Sequence, residues 1–230
     1  MYEQSQLPIR EDLRTAHETV WRKIATTGSY WSGENRVAFI REARSALTCK
    51  LCASRKISIS PNVVDGEHDS ATSLDPMVID LIHRIRTDPG RYTKTVFDRF
   101  VSTYSIQEYI ELVSVVASSV VVDTMHCALG LTPPDPSDPD TQKPNGYEPA
   151  KIEDGGAWVP LARHDQSRSD LGFRRVPNIL RAMGAVPSAV SLFFSCFKNH
   201  YSMMGVPLDL RQSQTEFIAA RVSALNQCFY

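Results

Sequence analysis

Apolar residues recur at three- and four-residue steps along most of this chain, which is the pattern of amphipathic helices. The pattern predicts helices over residues 10–24, 34–47, 76–87 and 93–103. Ser32 or Gly33 can open the second helix, and Asp75-Pro76 can open the third. A polar, turn-rich stretch after Pro61 is predicted to be a loop.

The segment from Ile106 to Leu129 is rich in valine, and residue propensity alone would make part of it a strand. Its length and its lack of turn residues favour a buried helix instead. Ser105 is a suitable N-cap for this helix, and Gly130 is a suitable end.

Residues 131–177 contain eight of the fourteen prolines, so this stretch cannot be regular helix. We interpret it as a linker that packs in part through Trp158-Val159-Pro160. Helical spacing resumes near Val176 and continues to His200, and a last helix is predicted from about Leu208. The predicted fold class is therefore all-α.

Composition narrows the function classes. The 230 residues carry a formal net charge of −1, which gives no electrostatic reason to expect nucleic acid or an anionic membrane as partner. The first residues lack a basic region followed by an apolar one, so we expect a cytoplasmic protein. Five cysteines in such a chain favour reduced thiols or redox chemistry over structural disulfides.

The final twenty residues combine an acid and a thiol in an apolar, helix-like run. Glu216 and Cys228 are twelve residues apart, about 18 Å in an unbroken helix, so they can meet only if the backbone breaks between them. Asn226 is a suitable break, and it would place Cys228 in the first turn of a new helix. The unpaired N–H groups there favour a thiolate.

The spacing Glu216-x11-Cys228 and the text RVSALNQCFY resemble the start of a known redox motif. The motif belongs to the alkylhydroperoxidase D-like (AhpD-like) branch of the carboxymuconolactone decarboxylase superfamily, where it continues as Cys-x2-Cys-x3-His. Here the second cysteine and the histidine would fall beyond Tyr230, so the chain as given holds half of the motif.

A degenerate copy of the same unit is visible earlier. Glu111 and Asp123 repeat the interval, while His126 and Gly130 occupy the positions of the second cysteine and the histidine. The resemblance implies an AhpD-like bundle of two related helical units joined by a proline-rich linker. The predicted divisions are an N-terminal helical extension (1–74), a degenerate first unit (75–131), the linker (132–176) and an incomplete second unit (177–230).

Cys49-Lys-Leu-Cys52 is the complete Cys-x2-Cys pair in the chain, and three interpretations are open. The thiols can form a redox disulfide, with nearby Lys50, Arg55 and Lys56 lowering their pKa. They can bind a metal with His68 and a fourth ligand such as His83 or Glu67. Without a second Cys or His pair, the sequence favours neither over two inert thiols at a helix end, and we assign no metal.

His126 follows Asp123 by one helical turn, so an Asp–His hydrogen bond could orient its imidazole as a general base. Such a base would suit the decarboxylase branch of the superfamily, although a structural histidine is the favoured interpretation. His83 is predicted to lie on a helix surface by the same reasoning.

By resemblance, we expect thiol-dependent reduction of a hydroperoxide. The candidate catalytic residues are Cys228, Glu216, Cys49, Cys52 and His126. The expected partners are a small hydroperoxide and a thiol/disulfide electron donor, with a homo-oligomer as the assembly and no cofactor, nucleic acid or membrane. A decarboxylase-like lyase and a non-catalytic helical scaffold are the alternatives.

Overall fold

The computed structural model describes residues 1–147, 150–163, 178–200 and 209–225, and this part of the chain is mostly helical. The described residues form nine α-helices and one two-stranded antiparallel sheet, in which Ile152 pairs with Ala162. The helices are α1 (Glu11–Ile24), α2 (Gly33–Ser45), α3 (Lys50–Ile57), α4 (Pro76–Thr87), α5 (Lys94–Val101), α6 (Ile106–Ala128), α7 (Asn178–Met183), α8 (Pro187–Phe197) and α9 (Gln212–Leu225), and the strands are β1 (Ile152–Glu153) and β2 (Leu161–Ala162). The all-α prediction is confirmed.

The predicted helix starts are confirmed by their caps. The Ser32 hydroxyl accepts a hydrogen bond from the Asn35 amide at 3.2 Å, and the Asp75 carboxylate accepts one from the Met77 amide at 2.8 Å. Each bond satisfies a backbone donor that the first turn of a helix leaves without an intrahelical partner.

Helix α6 forms as a helix despite its valines because both its start and its surroundings favour it. Ser105 and Glu108 make a reciprocal capping box at its N-terminus. The buried Ser114 hydroxyl donates to the carbonyl of Ala189 on α8 at 2.8 Å. In the described part of the chain, α6 alone is long and apolar enough to cross a membrane, but 61% of its most hydrophobic window is buried inside the protein, as in the core helix of a soluble protein.

The main core surrounds α6, which contacts α8, α2, α4, α1 and α5. One apolar cluster runs through these helices, with Ile24, Phe39, Ile82, Leu112 and Leu192 among its buried members. This cluster includes residues on both sides of the predicted 74/75 boundary and also from the predicted second unit. The division into units remains a prediction, and its parts share a core.

Three local features differ from the sequence pattern. Residues 50–57 form a separate short helix, α3, which the periodicity did not predict. The helical spacing predicted from near Val176 to His200 is divided between two helices, α7 and α8, and Pro187 begins the second. The helical prediction for the terminal segment is confirmed by α9, yet Phe217, Ile218 and Leu225 on it are exposed.

A group of aromatic side chains joins the N-terminal residues to the end of α8. The Tyr2 hydroxyl contacts Nδ1 of His17 on α1, and Nε2 of His17 lies 2.6 Å from Nε2 of His200, just after α8. Burial, together with the neighbouring His200 and His126, lowers the pKa of His17 to about 4. Burial also lowers the pKa of His200, with Arg10 acting in the same direction and Asp12 opposing it.

Because the pKa of His17 in the folded protein lies below its ordinary value, the unfolded chain binds a proton more readily. The contribution of His17 is fully present above about pH 6.5 and falls as the pH drops toward about 4, by up to about 3 kcal/mol. We expect His17→Gln to flatten the decline in unfolding free energy across this range, measured by urea denaturation. Identical pH slopes in the two proteins would contradict this assignment.

Candidate metal centre

The two cysteines of the Cys-x2-Cys pair lie at the N-terminal end of α3. Cys49 is the residue before the helix and Cys52 lies in its first turn, and both are buried. The Asp69 carboxylate accepts a hydrogen bond from the Lys50 amide at 2.8 Å, which ties the loop after α3 to this helix start. The sequence placed this pair in a turn at the end of the second helix, whereas the structure places it at the start of α3, which periodicity missed.

Two histidines complete a four-residue cluster with these cysteines. Nδ1 of His68 lies 3.5 Å from Sγ of Cys49 and 3.7 Å from Sγ of Cys52. Nδ1 of His83, on α4, lies 3.2 Å from Sγ of Cys52. The four possible ligand atoms all lie within 4.8 Å of one another, and the described residues contain no other group of this kind.

These separations fit a tetrahedral zinc ion. Zinc–sulfur bonds of about 2.3 Å and zinc–nitrogen bonds of about 2.0 Å, at tetrahedral angles, place sulfur and nitrogen about 3.5 Å apart. The three sulfur–nitrogen distances of 3.2, 3.5 and 3.7 Å lie on either side of that value. Two cysteines and two histidines are also a common ligand set of structural zinc sites.

A buried carboxylate binds the Nε2 side of the His83 ring. Nε2 of His83 donates to Oε1 of Glu42, on α2, at 2.8 Å, and the side chains of both residues are 0% exposed. The other oxygen of Glu42 accepts from the Ser70 hydroxyl, the Ala71 amide and the Thr72 hydroxyl. The prediction of His83 as a helix-surface residue is wrong, because the imidazole lies between Cys52 and Glu42 in the interior.

A second carboxylate holds His68. Nε2 of His68 lies 3.0 Å from Oδ1 of Asp80, and Asp80 also pairs with Arg55, Arg84 and Arg99. Each histidine therefore presents Nδ1 to the cysteines and Nε2 to an acid. This carboxylate–histidine arrangement fixes the tautomer and the ring orientation of a metal ligand.

The same contacts shift the pKa values of the cluster. Burial alone would lower the pKa of His68, but hydrogen bonds to Asp80, Cys52 and Cys49 raise it to about 10. Burial alone would raise the pKa of Cys49, but hydrogen bonds from the amides of Cys52 and Asp69, and then from His68, lower it. Burial lowers the pKa of His83, although its hydrogen bond to Glu42 opposes the shift. The site therefore favours a thiolate at Cys49, the form that binds metals.

The geometry gives a different result at the other candidate histidine. His126 contacts the carbonyl oxygens of Val122 at 2.8 Å and Met1 at 3.1 Å, while Asp123 forms a two-pronged ion pair with Arg44. The predicted Asp123–His126 hydrogen bond is wrong, because both ring nitrogens of His126 contact backbone carbonyls while the Asp123 carboxylate binds Arg44. His126 is almost completely buried, which fits the structural role that the sequence favoured.

The terminal motif is described only in part. Glu216 lies on α9, where its carboxylate accepts a hydrogen bond from the Gln212 amide group. Cys228 and the predicted break at Asn226 lie outside the described residues. The structure therefore does not bring Glu216 together with another candidate catalytic residue among those it describes.

One signal in the sequence could have placed His83 in the interior rather than on the helix surface. His83 follows Ile79 by four residues and Ile82 by one, so it falls on the inward side of α4. A histidine on an apolar helix face needs a buried partner. Cys52 and Glu42 could not be identified as those partners without the fold.

Comparison with known proteins adds no family to this picture. No protein-family model matches the chain, and no curated protein or solved structure matches it significantly. The class defined by the fold and the site is thus a mostly helical protein with a buried Cys2His2 cluster. The AhpD-like resemblance remains a prediction from the residues that carry it.

The role of the supporting acid can be tested directly. We expect Glu42→Gln to weaken zinc binding by about 10- to 100-fold, because the amide orients His83 less strongly and makes it a weaker donor. Competition with a chromophoric chelator measures this affinity. Glu108→Gln, which removes the same charge from the cap of α6, is the matched control and should bind zinc like the unaltered protein. Equal affinities in all three proteins would contradict the proposed role of Glu42.

Proposed function

We propose that this chain is a zinc protein in which Cys49, Cys52, His68 and His83 hold one structural Zn²⁺ ion. The observation that carries this proposal is the convergence of four ligand atoms with a carboxylate behind each imidazole. Four protein ligands leave no open position for water or substrate, which is typical of structural rather than catalytic zinc.

The ion would stabilise a region with little apolar burial. Helix α3 has eight residues, too few to be stable alone, and most of the 58–75 loop after it lacks regular structure. Zinc would join α3 and this loop to α4 through the ligands, and to α2 through Glu42. Binding would therefore contribute directly to the folding of the N-terminal third.

Metal content and stability test the proposal. We expect about one zinc per chain by elemental analysis, and a visible spectrum of tetrahedral Cys2His2 coordination after replacement by Co²⁺. Removing the metal with a chelator should lower the unfolding free energy by at least about 3 kcal/mol. The loss arises because a ligand that binds the folded state no longer stabilises it.

Matched cysteine variants localise the effect. Cys52→Ser should lose the bound metal, whereas Cys127→Ser, which alters an exposed thiol, should keep it. If Cys52→Ser fails to fold, His68→Gln provides an independent test. Its Co²⁺ spectrum should show that one nitrogen donor has been lost. The zinc site would be refuted if the protein contains no metal when it is isolated and also fails to bind added Co²⁺.

We also propose a second candidate function, thiol-dependent hydroperoxide reduction, for the metal-free form. The supporting observation is the lowered pKa of Cys49, with the Cys52 sulfur within 4.8 Å. The Cys49 thiolate would attack the peroxide, forming an S–O bond as the O–O bond breaks, and the alkoxide would take a proton from His68 beside Cys49 and leave as an alcohol. The Cys52 thiol would then attack the resulting sulfenic acid, its proton and the departing hydroxide would form water, and a dithiol donor would reduce the disulfide.

Peroxide turnover by reduced, metal-free protein tests this candidate. We expect alkylation of the thiols and Cys49→Ser each to abolish turnover, and zinc to suppress it by occupying both sulfurs. Cys228→Ser separates this site from the terminal motif that carries the AhpD-like resemblance. Turnover that persists after complete alkylation would exclude both thiol sites, and turnover lost only in Cys228→Ser would assign the reaction to the terminal cysteine.

A further inference from the structure

A polar cavity of about 470 Å³ lies between the α1–α2 connection, the linker and the start of α8. In the part of the chain that the structure describes, its lining includes three cationic side chains, two amides and a single apolar side chain, Leu192. The residues that matter here are Lys23, Arg36, Gln142, Lys143, Asn145 and Ser188. The size lies within the range of pockets for small ligands, but the lining is far more polar than is usual.

The linker wall of this cavity is fixed by hydrogen bonds to the α1–α2 connection. The Asp140 amide donates to the Ala25 carbonyl at 3.0 Å, and the Thr27 hydroxyl donates to the Gln142 carbonyl at 2.9 Å. The Gly146 amide donates to the Ser29 carbonyl at 2.8 Å. These bonds on both sides of Lys143 fix its backbone at the cavity wall.

The charges around the cavity leave an excess of positive charge. Among the described residues, no aspartate or glutamate lines it. The nearest acids already accept protein donors, because Asp140 binds the amide and hydroxyl of Thr27 and Glu111 binds the Tyr30 amide at 2.8 Å. Three cations therefore face the cavity while two acids lie behind it.

Arg36 is the buried cation of the cavity. It is 6% exposed, and its Nη1 donates to the Thr26 carbonyl at 2.8 Å. Its Nε has no hydrogen-bond partner in the described part of the chain, although it forms a buried ion pair with Glu111, with Nε 3.8 Å from Oε1. Glu111 therefore balances the charge of Arg36, while the donor capacity of its guanidinium is not fully used.

Helix α8 contributes a third feature. Ser188 and Ser191 lie in its first turns and line the cavity, and Val186 before the helix makes no side-chain cap. Pro187 has no N–H, and the Ala189 and Val190 amides already donate to the Val186 carbonyl, so the start of this eleven-residue helix contributes the positive end of its dipole rather than free donors. The start of α8 and the two lysines thus favour the same kind of ligand.

We propose that this cavity binds a small oxyanion, a molecule bearing carboxylate or phosphate groups. Lys23 and Lys143 provide the charge at the opening, and Arg36 provides a buried donor beneath them. Gln142 and Asn145 add uncharged donors for the remaining oxygens. This site is separate from the zinc centre and does not depend on it.

Isothermal titration of the zinc-loaded full chain tests the proposal, with inorganic phosphate and succinate as separate probes. We expect at least one of the two probes to bind saturably, with one anion per chain. The double variant Lys23→Gln/Lys143→Gln should weaken it by about tenfold or more, because two charges near the ligand are lost. The probe that binds more tightly identifies phosphate or carboxylate as the favoured group.

The matched control is Lys56→Gln/Lys94→Gln, which removes the same net charge from lysines outside the cavity. We expect this control to bind like the unaltered protein, and circular dichroism should show equal helicity in all three. Absence of saturable binding by both probes would overturn the proposal. Equal weakening in the two double variants would overturn it as well, because it would show attraction to the overall charge of the protein.

Discussion

The buried hydrogen bond between Glu42 and His83 connects the candidate metal centre to the helical core. A carboxylate removed from water is costly unless its oxygens are paired, and Glu42 satisfies this condition with His83 and three donors from residues 70–72. The same contacts orient the His83 imidazole toward Cys52 and hold the loop after α3 in place. Thus the ligand geometry and the packing of α2 against α4 depend on one acid.

The core and the centre rely on different physical effects. Around α6, the main stabilising effect is burial of apolar side chains such as Leu112, Val115 and Phe39 from several helices. Around Cys49 and Cys52, the local apolar cluster is small, and among the described residues it adds only Leu51 and partly buried Val64 to the thiols. A region with so little apolar burial gains most from a metal ion, as small metal-binding domains do.

Helix positions were largely predictable because periodicity and caps agree. Ser32, Asp75 and Ser105 each begin a helix where the sequence placed one. The α7–α8 break was missed, because apolar spacing continues through Gly184 and Pro187. The exposure of Phe217 on α9 was also unforeseen, since an apolar pattern reports what a helix can bury and not whether a partner is present.

The candidate site was predictable only in its components. The sequence identified Cys49, Cys52 and His68, and it named His83 as one option for the fourth ligand. Their convergence depends on the path of the 58–75 loop, which brings His68 back to α3, and on the rotation of α4. Neither follows from local propensity, because both are fixed by tertiary contacts such as those of Asp80 with three arginines.

The order of the ligands along the chain has a consequence for synthesis. All four lie between residues 49 and 83, and Glu42 precedes them, whereas α6 begins only at residue 106. A chain made from its N-terminus therefore contains every residue of the proposed zinc site before the central core helix exists. The metal could thus order a nascent segment at a stage when apolar burial cannot yet do so.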